Sequence, residues 1–161
     1  MLLVGPTGAG KSTFARTHFR PTEVVSSDAC RALVADDEND QSATADAFRV
    51  LDLITALRLA RRHLTVVDAT NVQAVWRQPL LALAREHRLP AVAIVFDLPV
   101  EVYLERTRVR TDRNAGAAVA RRHHADLRRF PPSTGEGFEQ VWTLRSVEEV
   151  AQVEVARRLA P

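Results

Sequence analysis

Gly5-Pro6-Thr7-Gly8-Ala9-Gly10-Lys11-Ser12-Thr13 follows the apolar Leu2-Leu3-Val4 and leads into Phe14-Ala15. It satisfies the pattern GxxxxGK[ST] at every constrained position and sits in the context that gives the pattern its meaning, after a strand and at the start of a helix. Glycines let the backbone curl so that its N–H groups converge on a phosphate, and the helix N-terminus adds the positive end of its dipole. The reading is an ATP-binding phosphate loop. Lys11 is expected to reach the β- and γ-phosphates and the Ser12 hydroxyl to ligate Mg²⁺, with Gly8, Gly10 and Thr13 completing the cradle. Lys11 is also the only lysine among 22 lysines and arginines. It stands where a compact, flexible charge is needed and a planar fork is not.

Outward from this loop, short apolar runs alternate with segments of helical period, the pattern of an α/β domain with a mainly parallel sheet. Strands are expected at 2–4, 23–26, 64–68, 91–96 and 140–144. Helices are expected at 45–62, 75–87, 100–111, 115–129 and 146–159, the first with Phe48, Leu51, Ile54, Leu57 and Leu59 close to one face. Ser146 and Glu149 form a capping box at the start of the last. A first strand of three residues is short for the centre of a sheet, which points to a chain trimmed at its N-terminus. The loop Pro131-Pro132-Ser133-Thr134-Gly135 is expected to be the most mobile part.

At 161 residues, 46% hydrophobic and 26% charged, the chain has the composition of a single globular domain spanning residues 1–161. No apolar run approaches the roughly 20 residues of a membrane helix, and no charged-then-apolar leader precedes the loop, so a soluble cytoplasmic protein is expected. The lone Cys30 has no partner for an internal disulfide, and no Cys/His group has zinc spacing. His123 and His124 read as solvated helix positions. Residues 106–129 hold eight arginines against Asp112 and Asp126, whereas the rest of the chain is net acidic. This basic block is either a face for polyanions or a solvated helix surface.

A phosphate loop alone does not separate a kinase from a nucleotide switch. The next acid is more telling. Ser26-Ser27-Asp28 closes the second strand and opens a short helix, which places Asp28 on the same sheet edge as the loop. A carboxylate there can take the proton of an attacking hydroxyl and hold it in line with the γ-phosphate; it can equally be a helix N-cap. Arg31, three residues on, lies on the same helical face, either to bind a phosphate beside that hydroxyl or to form a surface ion pair.

These residues carry a family resemblance. Gly5 to Phe14, Arg20-Pro21-Thr22-Glu23-Val24-Val25-Ser26-Ser27-Asp28 with Cys30-Arg31, Asp36-Asp37-Glu38-Asn39-Asp40-Gln41, Val66-Val67-Asp68-Ala69-Thr70-Asn71 and Arg110-Thr111-Asp112-Arg113 together resemble the kinase module of bacterial polynucleotide kinase-phosphatases. The likeness runs from Val4 to about Val150. It implies an adenylate-kinase-like core with a helical lid at about 106–129, and transfer of the γ-phosphate of ATP or another NTP to 5′-OH ends of RNA or DNA in nucleic-acid repair. It implies Asp28 as general base, Arg31 on the phosphate adjoining the 5′ nucleoside, and Arg106 and Arg113 on the ATP phosphates. Whole enzymes of that family add phosphatase and ligase-like modules.

Arg106, Arg110 and Arg113 are spaced by four and three residues and share one helical face if the helix extends so far. Asp68 resembles a Walker B acid acting on Mg²⁺ through water; an N-cap or turn acid is the other account. The acidic string Asp36 to Asp40 orders a loop or binds the chain's own arginines. Two other readings stay open: a kinase of a small metabolite or nucleoside, and a non-catalytic nucleotide-switch module. The second lacks the Asn-Lys-x-Asp string that reads guanine.

Overall fold

A computed structural model describes residues 1–109 and 116–156. Five strands, β1 (Leu2–Val4), β2 (Val24–Ser26), β3 (Val66–Asp68), β4 (Val92–Phe96) and β5 (Gln140–Leu144), form one sheet in the order β2-β3-β1-β4-β5. All four pairings are parallel. Parallel neighbours need crossover connections, and helices supply them. Between strands lie α1 (Lys11–His18), α2 (Ser27–Ala35), α3 (Thr44–Ala60), α4 (Ala74–Glu86), α5 (Val100–Val109) and α6 (Ala117–Arg129), and α7 (Val147–Gln152) follows β5.

Side chains alternate across the sheet, so each strand feeds two cores. Leu2, Val4, Val67, Ala93 and Val95 pack with Leu51 of α3 and Leu80 and Leu81 of α4. Leu3, Val66, Ile94 and Phe96 pack on the other side with Phe14 of α1, Tyr103 of α5 and Ala120 of α6. β1 is buried at all three positions, which explains why so short a strand can occupy the centre.

The five expected strands all form, some a residue or two shorter. Glu23 leaves β2 because it closes a 3₁₀ turn, Pro21–Glu23, where its carboxylate accepts the Arg20 N–H at 2.8 Å. Three expectations need correction. The face of α3 on the sheet is Ala47, Leu51 and Thr55, while Leu57 is exposed; a helix apolar on every side leaves periodicity little power to choose the buried face. The last helix ends at Gln152 and not at 159, because Val153 and Val155 pack against the core beyond it. His123 and His124 are half-buried, His124 against the Tyr103 ring at 5.7 Å between centroids.

The Pro131–Gly135 loop is pinned on both sides by Arg77, which is fully buried in α4. Its guanidinium donates to the Phe130 carbonyl at 3.0 Å, to both Glu136 carboxylate oxygens at 2.7 and 2.9 Å, and to the Asn71 carbonyl at 2.9 Å. Among the described residues, no helix is long and apolar enough to cross a membrane.

Candidate active site

The row Ser26, Asp68, Leu3, Ile94 crosses the sheet in register, so the turns that follow those residues emerge on a common edge. Open parallel sheets bind ligands at this edge, beyond the carboxyl ends of the strands. A cleft of about 1310 Å³ lies there, bordered by the loop after β1, the first turn of α2, Asp68 at the end of β3 and the facing sides of α5 and α6. This exceeds the roughly 300–1,000 Å³ of an ordinary small-molecule pocket and leaves room for a donor and an acceptor together.

At the donor end, Gly8 (φ 80°) and Gly10 (φ 93°) take left-handed backbone that side chains disfavour. A Cβ on Gly8 would also meet the Tyr103 carbonyl at 3.0 Å, so α5 presses the loop from above. The Gly5 N–H bonds the Thr70 carbonyl at 2.9 Å, and the Asn71 side chain donates to the Leu3 carbonyl at 2.9 Å. Loop and β3 turn are thereby tied together. Lys11 is buried, its ammonium donating to the Gly5 and Pro6 carbonyls at 2.8 and 2.9 Å. Ser12 and Thr13 follow in the first turn of α1 and border the cleft. Arg106 donates to the Gly8 and Ala9 carbonyls, both at 3.3 Å, from the last turn of α5. Arg110 and Arg113 lie outside the described residues.

At the α2 side of the cleft, Ser26 is the N-cap of α2, its hydroxyl accepting from the Ala29 N–H at 3.4 Å. Asp28 is therefore not the cap; it stands in the first turn with its carboxylate towards the cleft. Arg31 is buried, with only 6% of its surface exposed, so the surface-pair account fails on burial. It donates to Asp28 Oδ1 at 2.9 Å and to the Glu38 carbonyl at 2.8 Å. Arg31 Nε has no hydrogen-bond partner among the described residues. The acidic string is a loop-ordering device: Asp37 accepts from the Asn39 N–H, and Asp40 caps the turn Gln41–Ala43 by accepting from Ser42.

Asp68 is buried where β3 ends. It does not cap α4, whose N-cap is Gln73; the turn between is made by Asn71 at φ 49°. Both Ser12 and Asp68 border the cleft, which makes an oxygen donor set of the kind Mg²⁺ prefers, completed by phosphate and water oxygens. No group of three or more His, Cys, Asp or Glu forms a closed cation cage among the described residues.

Several cleft residues had escaped sequence reasoning. His123 reaches the cleft from α6, and burial, then the Lys11 and Arg122 charges, hold its pKa down at about 4. Phe48 and Trp76 border the cleft from α3 and α4. Behind the cleft lining, Tyr103 is wholly buried against the phosphate loop, donating to the Phe96 carbonyl at 2.9 Å, and burial pushes its phenol pKa up. The sequence contains a hint only for Phe48 and Trp76, as aromatics beside polar helix positions.

Sheet order, phosphate loop and cleft define a P-loop kinase fold, which implies a nucleotide and usually Mg²⁺. The chain belongs to the AAA domain family, whose model matches residues 1–132. A chain of the Pnkp1/Rnl/Hen1 RNA repair complex is similar over 86% of this chain and 45% of that one, with 25% identity and a TM-score of 0.68. The chain thus spans less than half the length of that protein. A gluconokinase from Sinorhizobium meliloti 1021 is similar at 17% identity, with a TM-score of 0.56 over 94% of this chain and 84% of that one. Shikimate kinase from Acinetobacter baumannii, in complex with shikimate, is similar at 18% identity, with a TM-score of 0.51 over 98% of this chain and 83% of that one. No protein of curated function shows significant sequence similarity to the chain.

Proposed function

We propose that the chain is a polynucleotide 5′-hydroxyl kinase, moving the γ-phosphate of ATP or another NTP to the 5′-OH end of RNA or DNA. The observation that carries this reading is the pair at the acceptor end: a carboxylate, Asp28, bonded at 2.9 Å to a buried guanidinium, Arg31, whose Nε has no partner among the described residues. A buried donor without a partner is costly unless a ligand supplies one, and a guanidinium matches the two free oxygens of a phosphodiester. The similarity to a chain of an RNA repair complex supports the same substrate class.

In this mechanism Asp28 accepts the proton of the 5′-OH while the oxygen attacks the γ-phosphorus, and ADP leaves. Arg31 grips the phosphate on the 3′ side of the same nucleotide and so fixes the direction of attack. Lys11 and the loop N–H groups of Gly8 to Thr13 bind the β- and γ-phosphates, and Arg106, with Arg110 and Arg113, meets charge that builds on the transferring group. Ser12 and Asp68 are the residues that would hold Mg²⁺, whose charge would offset that of the donor phosphates. We take the chain as one kinase module, acting in the cytoplasm and joined in its full-length form to phosphatase and ligase-like modules.

A kinase of a small metabolite or nucleoside is the competing account, since small-metabolite kinases have similar folds too. The parent enzyme's rate on a nucleoside 3′-phosphate against the bare nucleoside, followed by label moving from γ-labelled ATP, decides between them. Phosphorylation of a 5′-OH oligonucleotide and of the 3′-phosphate, with little on the bare nucleoside, is expected. Equal rates on the last two would leave Arg31 no phosphate to read and favour the metabolite kinase.

A further inference from the structure

The acceptor end of the cleft has an aromatic wall for which phosphoryl transfer has no use. Phe48 of α3 and Trp76 of α4 stack with ring centroids 5.5 Å apart and planes inclined by 23°. Both border the cleft that holds Asp28 and Arg31. Trp76 keeps 50% of its surface exposed, although indoles of this size normally bury most of theirs. Phe48 covers one part of the indole, and the half-exposed ring borders the cleft.

The position of this indole is well held. Its chain neighbour Arg77 is fully buried, and its guanidinium has four bonds of 2.7–3.0 Å to Asn71, Phe130 and Glu136. The first turn of α4 is therefore anchored at the residue beside Trp76, and the backbone N–H of Trp76 bonds back to the Gln73 carbonyl at 3.2 Å. A flat apolar surface kept half-wet on a rigid mount is a stacking platform more than a misplaced core residue. Its surroundings select the ligand. Arg31, which the proposed reading sets on the phosphate beside the 5′ nucleotide, borders the same cleft, and a cation near an aromatic face suits a single strand whose phosphates and bases alternate. The other tryptophan, Trp142 on β5, is 59% exposed but lies away from the cleft, with its indole N–H on Gln140 Oε1 at 3.2 Å.

We propose that the Phe48–Trp76 pair is a nucleobase platform, on which a base within the first two nucleotides of a 5′-OH single strand stacks while Asp28 holds the hydroxyl. The proposal deepens the polynucleotide-kinase reading and rests on it for the identity of the strand. It makes the enzyme prefer short single-stranded acceptors bearing bases at those positions, with little regard to which base, because every base has a π face.

The test uses Trp142→Phe protein, in which Trp76 is the only tryptophan of the two in the chain. Titration with a 5′-OH oligonucleotide is expected to quench Trp76 emission to saturation. The same oligonucleotide with abasic residues at its first two positions should quench less and bind on the order of tenfold more weakly. In turnover, Trp76→Ala should raise KM for the oligonucleotide about tenfold and leave KM for ATP unchanged, and Trp76→Phe should restore most of the loss. Identical affinity and quenching for abasic and intact strands would overturn the platform, as would an unchanged KM in Trp76→Ala. The abasic comparison uses protein with Trp76 in place, so it stands even if Trp76→Ala folds poorly. Base-dependent quenching without phosphorylation of any oligonucleotide would keep the platform and sink the kinase reading. Phosphorylation indifferent to the bases would do the reverse.

Discussion

The two ends of the cleft are built differently. The donor end is made of nine consecutive residues, Gly5 to Thr13, whose shape follows from two left-handed glycines and an ammonium bonded to carbonyls of its own loop. The other end, which the proposed function gives to the acceptor, draws Asp28 and Arg31 from α2, Phe48 from α3 and Trp76 from α4, and holds them through tertiary contacts. A contiguous loop serves whatever acceptor arrives. An assembled wall can differ from one kinase to the next on the same core, and that is where substrate choice belongs.

The sharpest way to break this comparison is at Lys11. Lys11→Ala should lower turnover on the order of 10³-fold or more on every acceptor, the scale of a cation on a transferring phosphoryl group, and should weaken ATP binding. Lys11→Arg should fail as well, because a planar fork cannot take the ammonium's place. Retained turnover in either, measured with γ-labelled ATP, would mean the loop does not act on the donor phosphates.

Asp28→Asn comes next. It keeps the side-chain volume but removes the proton acceptor, so kcat should fall about 10²- to 10⁴-fold while ATP affinity, measured by calorimetry, stays nearly constant. Substantial 5′ phosphorylation by this variant would end the general-base assignment.

Arg31→Ala should cost less, about 1.5–3 kcal/mol of transition-state binding, the range for a charge-assisted hydrogen bond. The loss should appear in kcat/KM on oligonucleotides and nucleoside 3′-phosphates, with ATP binding little changed. A loss of ATP affinity equal to the loss in kcat/KM would place Arg31 at the donor end instead and erase the division.

The smallest effect concerns His123, on the α6 side of the cleft. Its pKa of about 4, against 6.5 for an ordinary histidine, means the folded chain holds it neutral where the unfolded chain protonates it. The unfolded state binds the extra proton, so His123 subtracts stability as pH falls from about 6.5 towards 4. His123→Gln should flatten that part of the stability–pH curve in thermal melts. An NMR midpoint for His123 near 6.5 in the parent would refute both the burial argument and the expected slope.

The donor end was legible in the amino-acid order because its chemistry is local: the glycine spacing, the single lysine and the flanking strand and helix lie within residues 2–15. The five strands were legible too, since period-two apolar runs feed both faces of a sheet that is buried on each side. Asp28 and Arg31 could be paired from their spacing, but the burial of Arg31 could not be read there, because it depends on the loop that brings the Glu38 carbonyl onto the guanidinium. Tertiary structure alone brought Trp76 onto Phe48, 28 positions away, and set Arg77 beneath it as an anchor reaching Glu136. Such contacts depend on which helix faces meet. In α3, apolar on nearly every side, no pattern of residues could name the face that would turn to the cleft.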